Sequence, residues 1–110
     1  MAKLLSLSTR TQTVLQVFAG MIRAARLERK MPQQDLAERL GVSRQTISAI
    51  EKGDAKVAIG TVFEAAAIVG IPLLAESSRD LQRLSTTVAG LTSLLPERAR
   101  VPQVELDDDF

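Results

Sequence analysis

"QQDLAERLGVSRQTISAIEKG", residues 33–53, holds two short amphipathic runs separated only by Gly41, Val42 and Ser43. Each run is shorter than the roughly 12–15 residues at which an isolated helix becomes stable in water. Each must therefore be held by tertiary packing. In the first run Leu36, Ala37 and Leu40 point inward. Gly41 is the residue expected at a left-handed helix end. Ser43 is a good N-cap whose oxygen can accept from the amide of Thr46. The second run, 44–52, buries Ile47 and Ile50. At about 100° per residue, Gln45, Ser48, Ala49 and Lys52 then lie on the opposite side, with Arg44 at the exposed N-terminal edge. That face is small, hydrogen-bonding and cationic. Arg can bond guanine bidentately, Gln can do so with adenine, Ser is permissive, and Ala49 can meet a thymine methyl. The small Ala37 lets the two helices cross closely, and Val42 plugs the corner. The arrangement predicts a helix-turn-helix whose second helix is shaped for a major groove.

The rest of the chain fits around this unit. The spacing predicts a long helix from about Thr9 to Lys30, with Val14, Phe18, Met21, Ile22 and Ala25 on one face. Arg23, Arg26, Arg29 and Lys30 crowd its C-terminal end, where cations suit the helix dipole. Pro32 ends it. A further helix covers about Gly60 to Val69, closed by Gly70 and Pro72. "IPLLAES", residues 71–77, is short and apolar: an edge strand, serving dimerisation, or a helix cap. Ser77 then N-caps a helix with Leu81, Leu84, Val88, Leu91 and Leu95 at alternating spacings of three and four, a two-heptad seam. That seam either folds back on its own domain or forms a dimer interface. After Pro96, "ERARVPQVELDDDF" has too little apolar content to pack and is expected to be flexible.

Composition narrows the chemistry. The 110 residues fit one core built of aliphatic side chains, since the only aromatics are three Phe. With no Cys and no His, disulfides and the usual zinc sites are excluded, and no metal or cofactor is expected. Only carboxylates, Lys and hydroxyls remain as catalytic groups. None forms a base–nucleophile constellation, so an enzyme is the weakest reading. No apolar run reaches the length of a membrane span. The start, "MAKLLSLSTRTQ", lacks the hydrophobic stretch of a secretory signal, so a cytoplasmic location is expected. Residues 1–60 carry ten basic and five acidic side chains, and residues 61–110 four basic and eight acidic. A basic half beside an acidic one fits a polyanion-binding part joined to a part with another task, although ordinary surface charge gives the same count.

"MPQQDLAERLGVSRQTISAIEKG" resembles the Cro/lambda-repressor (XRE) helix-turn-helix family over roughly residues 14–71. The resemblance implies an all-α, lambda-repressor-like bundle that binds double-stranded DNA at a palindromic operator as a homodimer. It implies a phosphate contact for Gln33, base readout by Arg44, Gln45 and Ser48, and backbone contacts by Thr46 and Lys52. Ser43 and Lys56 complete the expected DNA-binding set. Arg26 and Glu51 match a pair that is an internal salt bridge in many members. Two positions depart from the pattern. Pro32 replaces the usual Ser or Thr cap of the second helix, and Ala58 replaces a capping Ser before the fourth.

The layout is also similar to HipB-type antitoxins, which partner HipA-like kinase toxins. The features are the XRE core, the segment "IPLLAE" and the tail "VELDDDF". This narrower resemblance implies that Asp107, Asp108, Asp109 and Phe110 dock on the toxin. The competing readings are a free-standing repressor and an interaction module that has lost DNA binding. The organisation expected is a DNA-binding domain at 9–71, a dimerisation segment at 72–95 and an acidic tail at 96–110.

Overall fold

The computed structural model describes residues 6–96 and is all-helical there. The helices are α1 (Thr9–Glu28), α2 (Gln33–Leu40), α3 (Arg44–Glu51), α4 (Ile59–Ile68) and α5 (Ser78–Leu94). The chain divides after Leu73 into two compact units.

In the first unit, α2 packs on α3 and α4, and α1 packs on α3. Each helix contributes a few aliphatic residues to one core. Ile22 comes from α1, Leu36 and Ala37 from α2, Ile47 and Ile50 from α3, and Ala65, Ala66 and Val69 from α4, with Met31 from the α1–α2 turn. Phe18 packs on the core edge and meets Phe63 edge-on, with ring centroids 6.4 Å apart. Ala37 is fully buried, and a larger residue there would push α2 off its neighbours.

The ends of the helices follow local chemistry. Ser8 caps α1 and accepts from the Thr11 amide. Gly41 adopts φ +77° and donates its N–H to the Ala37 and Glu38 carbonyls, while the Val42 amide also bonds Ala37. Most residues pay steric energy at that φ, and glycine does not. Ser43 caps α3 through the Thr46 amide, and Ser77 caps α5 through that of Asp80. Pro32 and Ala58 occupy cap positions with no side-chain hydrogen bond. These two helix starts lack a stabilisation of about 1 kcal/mol each.

Three expectations need correction. Of the five α1 residues expected inward, Ile22 is buried and Phe18 and Ala25 pack against the core, whereas Val14 and Met21 are 58% and 47% exposed and Ala19 and Arg26 are buried as well. Residues 71–77 form no strand. A ladder needs a neighbouring extended backbone, and the described residues offer none. Ile71 and Leu73 instead pack on the core, and the Ile71 amide bonds the Ala66 carbonyl at 2.9 Å. Helix ends also shift, α1 closing at Glu28 and α4 starting at Ile59.

In the second unit, α5 buries no residue. The tail residues proposed for partner docking, Asp107, Asp108, Asp109 and Phe110, lie outside the described residues.

Candidate nucleic-acid interface

Burial of Ile47 and Ile50 fixes the rotation of α3 about its axis. The opposite side is therefore set as well. Arg44, Gln45 and Lys52 are exposed, while Ser48 and Ala49 are half-buried. Gln45, Ser48, Ala49 and Lys52 line one shallow open cleft together with Asp54. Asp54 has no place in the sequence-based set. Its carboxylate accepts from the Lys56 amide at 2.9 Å, and this shapes the turn that follows α3. Lys56 is exposed at that turn.

Ser43 and Thr46 sit together at the start of α3, their hydroxyls 3.1 Å apart. The Ser43 oxygen is already engaged by the Thr46 amide. Its first task is thus to end the turn and begin the helix.

Below this face lies a buried ion pair. Arg26 reaches from α1 to Glu51 at the end of α3, with side chains 7% and 3% exposed. Two bonds join them, and the third arm of the guanidinium donates to the Met31 carbonyl at 2.7 Å. The hydrogen bond to Glu51 raises the Arg26 pKa above its ordinary value. Burial opposes this, and the carboxylate's charge adds to it. Gln33 extends the network. Its amide donates to Glu51 at 3.1 Å, and its carbonyl accepts from Arg44 at 3.3 Å. The start of α2, the end of α3 and the start of α3 are thus tied by one side chain. Sequence spacing gives no sign of this, because Gln33 is 18 residues from Glu51 and 11 from Arg44.

A second cross-tie comes from α1. The Gln16 amide donates to the Lys52 carbonyl at 2.9 Å. Gly53 follows at φ +77°, and a Cβ there would lie 2.7 Å from the Gln16 amide nitrogen. The end of α3 is therefore held against α1, and a side chain at position 53 would displace the Gln16 amide that makes this contact.

This face can do three things at once. It offers a bidentate donor, an amide able to donate and accept, and small hydroxyl and methyl groups, all on one rigid helix. It contains no group of three or more metal-ligating side chains among the described residues. None of the described helices is long and apolar enough to cross a membrane.

Residues 22–75 match the family model described as Helix-turn-helix, a stretch just under half of the chain that spans the core, the turn and α3. A 43-residue stretch is 46% identical to a protein of Methanocaldococcus jannaschii named as an uncharacterized HTH-type transcriptional regulator. That match covers 39% of this chain and 65% of the relative, so the chain spans somewhat less than two thirds of its length. No solved structure matches the chain.

Proposed function

We propose that this helix-turn-helix domain binds double-stranded DNA sequence-specifically and that the protein is a homodimeric transcriptional repressor acting in the cytoplasm. The observation that carries the reading is the α3 face. Its exposed groups are the ones able to read base edges, and its other side is anchored by Ile47, Ile50 and the Arg26–Glu51 pair. Arg44, Gln45 and Ser48 read bases in the major groove. Gln33, Ser43, Thr46, Lys52 and Lys56 contact or position the phosphate backbone, which sets register without reading sequence. A homodimer presents two such helices to half-sites about 34 Å apart in a palindromic operator. Enrichment of bound sequences from a pool of randomised duplexes tests the reading. A symmetric pair of half-sites is the expected product, and a pool that stays random overturns it.

Two finer readings share this core. In the first, the protein is an antitoxin that represses its own operon and binds a HipA-like kinase toxin. This rests on the similarity of layout and on the acidic tail ending in Phe110. In the second, it is a free-standing repressor with no toxin partner, which the α3 face supports equally well. Co-purification with the product of the neighbouring gene separates them. A kinase-like protein retained by the full chain, and lost on deleting residues 104–110, is the result expected of an antitoxin.

A further inference from the structure

Glu51 holds more than Arg26. It is the last residue of α3, at the other end of that helix from Arg44, about 10 Å away along the axis. Its Oε2 accepts from Arg26 Nε at 2.6 Å, and its Oε1 accepts both from Arg26 Nη2 at 2.9 Å and from Gln33 Nε2 at 3.1 Å. The other edge of the Gln33 amide meets the reading face, where its Oε1 accepts from Arg44 Nη1 at 3.3 Å. Gln33 itself is half-buried at the start of α2.

A side-chain amide on its own has two nearly equivalent settings, related by exchanging oxygen and nitrogen. Here the two differ sharply. The carboxylate of an ion pair only accepts, so the Gln33 nitrogen has to face it. The guanidinium of Arg44 only donates, so the Gln33 oxygen has to face that. The reversed amide sets oxygen against carboxylate and N–H against guanidinium, two repulsions in place of two bonds. Glu51 is fixed in its turn, because Arg26 grips both its oxygens and is itself anchored on the Met31 carbonyl. The chain Met31, Arg26, Glu51, Gln33, Arg44 therefore runs from the core to the edge of the reading face.

The consequence falls on Arg44. An arginine on a helix surface has many rotamers and loses that freedom on binding. The Gln33 carbonyl restrains Nη1 and leaves the Nε–Nη2 edge as a pair of parallel donors. Guanine O6 and N7 accept such a pair. A guanidinium restrained in this way is also less able to swing to a phosphate when the base is wrong, and the penalty for the wrong base makes the contact selective.

We propose that Glu51, with Arg26 behind it, is a positioning residue for base readout: it sets the Gln33 amide, and the Gln33 carbonyl aims Arg44 at a guanine. The role rests on α3 being the helix that reads DNA, and it gives the buried pair a task separate from stability.

Base preferences are the readout, because Gln33 is also assigned a backbone contact and its loss lowers affinity for every duplex. Randomised-duplex selection is run on the unaltered chain, Arg44→Ala, Gln33→Met, Arg26→Met/Glu51→Leu, and a chain carrying the last three substitutions together. Arg44→Ala marks the base pair that Arg44 reads. At that pair, Gln33→Met and Arg26→Met/Glu51→Leu should each lower the guanine preference on the order of tenfold, with the other pairs of the half-site unchanged. The triple variant should lose no more than either, because both act through one amide. Circular dichroism and urea unfolding check folding. If the pair replacement does not fold, Glu51→Gln takes its place, since an amide there offers donor and acceptor alike and no longer dictates the Gln33 setting. A full guanine preference in Gln33→Met or in the Glu51 variant overturns the relay. So does a further loss in the triple variant, a marked pair with no guanine preference, or a relaxation spread evenly over the half-site, which is the mark of a shifted helix. An unaltered chain that selects no motif is a different failure and overturns DNA reading by α3 itself.

Discussion

Arg26 grips both carboxylate oxygens of Glu51, Nε lying 2.6 Å from Oε2 and Nη2 2.9 Å from Oε1. The two residues are 25 apart in sequence and join α1 to the end of α3. Both side chains are almost fully buried. Each charge therefore depends on the other, and the pair fixes where the α3 face points.

Removing one partner should cost far more than removing both. Glu51→Ala leaves a buried guanidinium uncompensated, at a cost of about 3–5 kcal/mol. Replacing the pair by Arg26→Met with Glu51→Leu should recover most of that loss. Urea unfolding of the three proteins measures both values. A Glu51→Ala chain as stable as the unaltered one would show that the pair is incidental.

The pair should also be insensitive to alkali. The folded-state pKa of Arg26 is raised. Its stabilisation is therefore present below the unfolded value and is lost only as pH climbs through the higher folded one. Since arginine ordinarily titrates above about pH 12, no Arg26-linked loss of stability should occur between about pH 7 and pH 10. Unfolding midpoints that differ between the unaltered chain and the Arg26→Met/Glu51→Leu variant by an amount changing across that range would contradict this.

Ala58 precedes α4 at φ −58° and ψ 136° and makes no capping bond. Ala58→Ser should supply an acceptor for a free amide of the first turn and stabilise the protein by about 1 kcal/mol. The unfolding midpoint should rise with an unchanged dependence on denaturant. A drop in stability would mean that the turn before α4 cannot place the hydroxyl.

Lys56 should position the protein without reading sequence. Lys56→Ala is expected to weaken all duplexes roughly alike and to reduce the slope of log affinity against log salt by about one unit. Titration of a labelled duplex at several salt concentrations reads the slope. An unchanged slope with altered sequence preference would remove Lys56 from the phosphate contacts.

The helix-turn-helix was legible because its signals are local. Gly41 ends α2, Ser43 starts α3, and Ile47 and Ile50 set the phase of an eight-residue helix with few other apolar groups. The inward face of α1 was legible only in part: Phe18, Ile22 and Ala25 meet the core, whereas Val14 and Met21 are exposed. Val14, Leu15, Val17, Phe18, Met21 and Ile22 surround that helix on most sides, so periodicity cannot choose among them. Hydropathy also gives no reason to bury Arg26, whose place depends on Glu51. The Arg26–Glu51 pairing came only from the family resemblance. The link from Glu51 through Gln33 to Arg44 is a tertiary relation with no sequence signature. The segment at 71–77 shows the same limit: its apolar residues fit a strand or a core-packing turn, and only Ile71 and Leu73 against the core decide for the turn.

If α3 reads DNA through the side chains placed opposite Ile47 and Ile50, Gln45 is the most direct residue at which to test it. Randomised-duplex selection should be run side by side on the unaltered protein and on Gln45→Ala. Symmetric half-sites are expected for the unaltered chain. For the variant the same motif should be relaxed at one base pair in each half-site, with a loss of about 1–3 kcal/mol per half-site on the original operator. An identical motif from both proteins, or no motif from either, contradicts readout by this face of α3.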